Sequence, residues 1–358
     1  MNYLGSKGRL LNPLIDRAID TLDIPTFGKF GDAFAGTNAV GRHMQRKGYT
    51  VHANDLQAYS YTIGKSVLCA DYPRFNELSG HIFLHSTPVE ERLGKVIAYL
   101  NEIASDIEQN YLPLVHGTWF IDKYCEGGSD GRLYFSNENG KRITVLRWVI
   151  NQWRLTAEEF CVLNHAIIVA ADKVANTASI YYTYLKNLKP SAKRSLKLDV
   201  PQINVGPKAE VYNLDALDFV KGVRDFRVLY LDPPYNQRQY AANYHLLETI
   251  CLWDDPAVSG VGGVRPYDNQ KSNWCYKGKA LNEFTTLLHL CDAEYVFLSY
   301  SDEGLIPKDE IIKAMSHFGY PVIFEHEYPR FRADKDSETR KYAENDTVIE
   351  YLFVVKMK

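Results

Sequence analysis

The chain has 358 residues, 46% of them hydrophobic and 24% charged, which fits an ordinary water-soluble globular protein of one or two domains with a sizeable core. Its start, Met1-Asn2-Tyr3-Leu4-Gly5-Ser6-Lys7, has no apolar segment and no later stretch is apolar enough to span a bilayer. The six cysteines form no C-x-x-C pair. Secretion, membrane insertion, a zinc site and a disulfide framework are therefore not expected, and a reduced, cytoplasmic protein is. A net charge of -3 works against nucleic-acid binding by overall charge, so any such partner must be held by local basic surfaces.

Short apolar runs alternate with helical patterns up to about residue 70 and again after about residue 208, which predicts a doubly wound α/β sheet assembled from two separated pieces. Phe27 to Asp32 reads as the first strand and Gly36 to Lys47 as the following helix. Tyr49 to Asn54 reads as the second strand, capped by Asp55 and followed by a helix from Gln57 to Cys69. Helical patterns then run from Glu90 to Gln109 and from Thr156 to Leu188. Between them, Asn139-Gly140 inside the segment Arg132 to Arg142 signals a β-hairpin turn. Glu210 to Leu214, Val228 to Leu231 and Tyr295 to Ser299 read as further strands, with a helix from Asn243 to Trp253. The segment Ser259 to Lys279, rich in glycine and basic residues, reads as a mobile loop. Pro321 to Tyr328 and Thr347 to Lys356 have no helix between them and should pair antiparallel across the charged loop Arg330 to Asn345.

The sharpest chemical signal is Leu231-Asp232-Pro233-Pro234-Tyr235, an acid, two prolines and an aromatic at the carboxyl end of a strand, where open α/β folds place their sites. An exocyclic amine of adenine is a poor nucleophile because its lone pair is delocalised into the ring. Acceptors for its hydrogens make that pair available, and Asp232 and the Pro233 carbonyl can serve. Pro234 fixes the turn, since proline has a fixed φ and no N–H. Tyr235 can stack on a base that has been flipped out of its duplex. A second signal, Asp32-Ala33-Phe34-Ala35-Gly36-Thr37-Asn38, follows the first strand and lets backbone approach a ligand at a helix start. It lacks the G-x-G-x-x-G pattern of nicotinamide enzymes, while Asp55 sits where an acid binds ribose hydroxyls or caps a helix. A ribose-bearing cofactor without a pyrophosphate fits.

These segments together resemble the D12-type, alpha-group (Dam-like) adenine-specific N6 DNA methyltransferases, over most of the chain, and in particular members of type II restriction–modification systems. The resemblance implies a class I methyltransferase, Rossmann-like fold with a mixed seven-stranded sheet. Residues 1–72 and 208–358 would form the catalytic domain, and 73–207 an inserted, mainly helical target-recognition domain carrying a β-hairpin. It implies S-adenosylmethionine as cofactor and no metal. Tyr3, Lys7, Asp32, Ala33, Phe34, Gly36, Asp55, Asp215 and Asp232 would contact that cofactor, and Asp232, Pro233, Pro234 and Tyr235 would form the catalytic loop. Asp215 is read equally well as a turn residue. The implied partner is double-stranded DNA, with a separately encoded restriction endonuclease as the biological counterpart. Candidate DNA contacts are Arg132, Lys141 and Arg142, then Lys193 and Arg194, Arg238 and Tyr240, and the Arg330, Arg332 and Lys335 cluster. The remaining alternatives are methyl transfer to another amino group, such as cytosine N4 or RNA adenine, and a catalytically silent DNA-binding relative.

Overall fold

The computed structural model describes residues 7–69, 71–78, 84–106, 111–203, 206–329 and 347–358. Seven strands form one sheet in the order β3-β2-β1-β4-β5-β7-β6. They are β1 (Lys29–Asp32), β2 (Thr50–Asn54), β3 (Glu210–Tyr212), β4 (Phe226–Leu231), β5 (Ala293–Ser301), β6 (Val322–Pro329) and β7 (Thr347–Lys356). β1 to β5 run parallel, and β7 pairs antiparallel with both β5 and β6. β6 and β7 thus form the antiparallel pair expected from the sequence. The strand order reverses between β1 and β4, and the carboxyl ends of those two strands are where such a sheet binds ligands.

Packing divides the described chain into two compact units. One comprises the described residues within 5–56, 206–239 and 270–358 and holds the whole sheet. Side chains alternate across its strands, so Leu229, Leu231, Val296, Leu298, Phe353 and Val355 share one face. They are buried against Phe219 and Val220 of a helix at Ala216–Gly222, Phe284 and Leu287 of a helix at Lys277–Leu290, and Ile311 and Met315 of a helix at Lys308–Ser316. The helix at Lys277–Leu290 takes up the last part of the segment expected to be a mobile loop. Glycines and lysines suggest a loop up to Lys279, whereas Ala280, Phe284, Leu287 and Leu288 just beyond it recur at helical spacing and draw Lys277 to Lys279 into the helix.

The other unit comprises the described residues within 57–205 and 240–269. It therefore takes in the helix after β2 (Ala58–Gly64) and the helix His245–Leu252 in addition to the segment between 73 and 207. Glu248, fully buried, joins those two by accepting from the N–H groups of Ala58 (2.9 Å) and Tyr59 (3.0 Å). The rest is helical: Val89–Ser105, Tyr111–His116, Thr118–Tyr124, Asn137–Gln152 and Ala157–Val174. Thr156 and Glu159 close a capping box at the start of the last of these.

The hairpin expected around Asn139-Gly140 is absent: both residues lie in the first turn of the helix Asn137–Gln152, capped by Ser136, whose side chain accepts from the Asn139 N–H. Gly140 is required by close approach, because a Cβ there would overlap the Cys125 sulfur. Asn139 is buried and uses its amide to hold a neighbouring turn, donating to Ala192 O (3.1 Å) and Arg194 O (2.9 Å) and accepting from Leu196 N (2.8 Å). The dipeptide that usually makes a hairpin turn here makes a helix contact and a loop bracket.

Candidate active site

The site lies at the carboxyl ends of β1, β2 and β4 in the sheet-bearing unit. β4 delivers Asp232 directly after Leu231, and Pro233 is buried while Pro234 and Tyr235 remain half-buried. Lys7, in a single 3-10 turn at Lys7–Arg9, reaches Asp232 Oδ1 at 3.4 Å and Glu350 Oε2 of β7 at 3.2 Å. Its ammonium stands 5.5 Å from the Tyr235 ring centre. Tyr235 in turn packs edge-on to Tyr300, with ring centres 6.2 Å apart, and its carbonyl accepts from Leu305 N at 3.1 Å. The Asp-Pro-Pro-Tyr loop is thus fixed by a buried cation on one side and by the loop after β5 on another.

Burial by itself lowers the Lys7 pKa, but the charges of Asp232 and Glu350, aided by Tyr230 and Tyr235, outweigh it and hold the ammonium well above its usual value. Asp232 is pushed up to about 6, by burial first; Lys7 opposes the rise and Glu350 adds to it. Near neutral pH Asp232 is therefore an ionised acceptor with little water around it.

Asp32 ends β1 and is buried, and among the described residues neither carboxyl oxygen makes a hydrogen bond of ordinary geometry. Burial, then Asp232 and Asp55, raise it well above the usual carboxylate value, while the N–H groups of Phe34 and Gly41 lie near enough to pull the other way. Ala33 is buried with its N–H on Tyr230 O at 3.1 Å, and Phe34 meets Trp274 edge-on at 5.4 Å. Asp55 accepts from the Gly36 N–H at 2.8 Å, which joins the end of β2 to the loop after β1. The next helix starts at Ala58 with Gln57 in the preceding position, and the Gln57 side chain makes no cap bond. Asp215 does cap its helix, accepting from Leu217 N at 2.9 Å.

Four residues of this neighbourhood were not singled out from sequence. Glu350 is the one acid inside the apolar run Val348 to Val355, and that isolation is a legible signal. Asn54 is buried and bridges strand ends through Ala33 O (3.3 Å), Leu214 O (3.0 Å) and Leu214 N (3.0 Å). Gln239 exchanges two bonds with the Ser272 backbone, at 3.0 and 2.8 Å, and Trp274 lies beneath Phe34. Nothing in local sequence marks those last three.

Among the candidate DNA contacts, Arg238 is exposed, and its N–H is held by Asn236 Oδ1 at 2.9 Å. Tyr240 is half-buried with its ring 5.9 Å from that of Tyr244. Lys193 and Arg194 are exposed on the turn that Asn139 holds, and Lys141 is half-buried. Arg142 donates to Ala104 O at 3.0 Å, and Arg132 is engaged by four intramolecular acceptors. Tyr3, Arg330, Arg332 and Lys335 lie outside the described residues.

A sheet of this order with an antiparallel seventh strand, carrying an acid–proline–proline–tyrosine loop at its reversal point, defines a class I methyltransferase-like α/β protein. The family model of D12 class N6 adenine-specific DNA methyltransferases matches residues 3–314, and the chain belongs to that family. It is 36% identical to the type II methyltransferase M.NlaIII of Neisseria lactamica, over 99% of both chains. It is 29% identical to the type II methyltransferase M.CviAII of Paramecium bursaria Chlorella virus 1, over 99% of this chain and 98% of that one. The similarity to the type II methyltransferase M.FokI of Planomicrobium okeanokoites, at 31% identity, covers 99% of this chain and 52% of the relative.

Proposed function

We propose that this chain transfers a methyl group from S-adenosylmethionine to N6 of an adenine flipped out of duplex DNA at a defined sequence. In this reading it is the cytoplasmic modification partner of a separately encoded restriction endonuclease. The observation that carries the reaction is the buried Lys7–Asp232–Glu350 cluster at the Asp-Pro-Pro-Tyr loop, in a chain of this family.

The residues fit such a cofactor: Asp32 presents a buried carboxyl without an ordinary hydrogen bond, and Asp55 ends the neighbouring strand. Phe34, Gly36 and Ala33 line the turn before the helix Ala39–Arg46, and Lys7 would act through Asp232. When bound, S-adenosylmethionine supplies an electrophilic methyl on a cationic sulfur. Asp232 and the Pro233 carbonyl accept hydrogen bonds from the N6 amino group and turn its lone pair toward that methyl. Tyr235 stacks on the flipped ring, while Pro234 holds the loop. As N6 gains the methyl, whose bond to sulfur breaks to leave a neutral thioether, positive charge develops on N6, and the Asp232 carboxylate stabilises it and is placed to receive the departing proton. Lys7 keeps Asp232 ionised and fixes its orientation, which counts for more here than strong acid–base catalysis. The unit containing the helices from 84 to 203 supplies sequence recognition, with Lys193, Arg194 and Tyr240 as its exposed or half-exposed contacts, and the sheet-bearing unit adds the exposed Arg238.

The test is incubation with labelled S-adenosylmethionine and unmethylated genomic DNA, followed by nucleoside analysis and base-resolution sequencing. N6-methyladenine confined to one recurring short sequence is the expected result. Label only in N4-methylcytosine or in RNA would replace the substrate, and cofactor binding without transfer would make the chain a silent relative.

A further inference from the structure

The loop Ser259 to Val264, in the helical unit, closes on itself through reciprocal backbone bonds between Ser259 and Val264 of 3.0 and 2.9 Å. Gly260 and Gly263 turn it, with φ of 69° and 62°. Each of its four tip carbonyls is then fastened from outside. Arg132 donates to Gly260 O at 3.2 Å and Val261 O at 3.0 Å, Tyr124 OH to Gly263 O at 3.1 Å, and the one proton of Tyr134 OH is shared between Gly262 O at 2.8 Å and Tyr181 O at 2.7 Å. Both tyrosines are fully buried, and Arg132 is itself pinned by Asp130 and the Lys123 carbonyl. Backbone so held has little freedom to yield.

Yet the side chain this device presents is Val261, which is 80% exposed. Beside it runs Tyr182, also exposed, so close that a Cβ on Gly262 would overlap the Tyr182 carbonyl. A buried tyrosine pair and an arginine are an extensive support for one solvated valine. The arrangement is instead that of an apolar wedge, which enters a base stack only if its backbone resists the load. An enzyme that methylates a base amino group must empty that base's place in the stack. We propose that Val261 is the side chain that enters duplex DNA to occupy the space left by the flipped adenine, with Arg132 as a positioning residue for it. This rests on the DNA adenine methyltransferase reading. A protein partner would call for a broad apolar patch rather than a single fixed tip.

The experiment uses the full chain and a duplex containing the methylated sequence, with the target adenine paired to thymine or placed opposite an abasic site. On the paired duplex, Val261→Ala should lower the single-turnover methylation rate by about tenfold or more, and Val261→Ile should retain it. Opposite the abasic site, where less pairing opposes extrusion, Val261→Ala should approach the wild-type rate. S-adenosylmethionine affinity and the thermal unfolding midpoint should stay unchanged. Full activity of Val261→Ala on the paired duplex, or equal losses on both duplexes, overturns the wedge. If the wild-type chain methylates adenine in neither duplex, it is the functional reading that fails, and the wedge with it.

Discussion

Lys7 of the sheet-bearing unit and Arg147 of the helical unit are both buried cations, and they are handled in opposite ways. Lys7 of the sheet-bearing unit is 4% exposed and faces two carboxylates, which hold it charged. Arg147 of the helical unit is 1% exposed and has Asn164 Oδ1 at 2.9 Å and the faces of Phe160 and Trp253 for company. Burial therefore lowers it to about 10, because a neutral amide and two ring faces replace less of the lost hydration than a carboxylate does. A buried charge facing opposite charges whose capacity is not exhausted is poised to act on a ligand. A buried charge held by one neutral amide and two ring faces, as Arg147 is, ties a core together.

The largest effect should come from Asp232→Asn, which keeps the shape but replaces the charged acceptor. Single-turnover methylation should fall about 10²- to 10³-fold while cofactor binding persists. Near-normal turnover would remove the site from the active side of the contrast.

Lys7→Met leaves the buried Glu350 and the half-buried Asp232 without their cation and should cost about 3 kcal/mol in urea unfolding. It also has a pH signature. In the intact protein Asp232 titrates near 6, so methylation should rise as pH passes from 5 to 7. The sign for stability is opposite. A carboxyl raised from 3.8 to about 6 favours the folded state below 3.8, and that contribution disappears as pH climbs to 6. Because Lys7 pulls the Asp232 value down, its loss should move the acid limb of the rate profile to higher pH.

Arg147→Met tests the other side of the comparison. It leaves the Asn164 oxygen unsatisfied, which should cost about 1–3 kcal/mol of stability, with the methylation rate per folded molecule unaltered. A rate loss that survives correction for folding would give Arg147 a part in function.

The smallest and most discriminating effect concerns DNA. Lys193 is exposed, and Lys193→Met should reduce the salt dependence of DNA binding by about one counterion. Arg132→Met should leave that slope unchanged, since its guanidinium is engaged by Asp130 and three backbone carbonyls. Equal slopes for the two variants would return Arg132 to the phosphate contacts.

What the sequence by itself determined was everything carried by local pattern. The strand runs, the antiparallel ending and the Asp-Pro-Pro-Tyr loop at a strand end follow from hydrophobic period and from residue types that act where they stand. Tertiary structure decided the roles of residues whose partners are far along the chain. Glu350 joins Lys7 across 343 positions, Asn139-Gly140 becomes a helix start because Cys125 lies against it, and Arg132 serves a loop nearly 130 residues away. A hairpin signal or a basic residue is a statement about local preference. A helix capped by Ser136 and packed on Cys125, or a guanidinium surrounded by carbonyls, outweighs that preference by the contacts only the folded chain supplies.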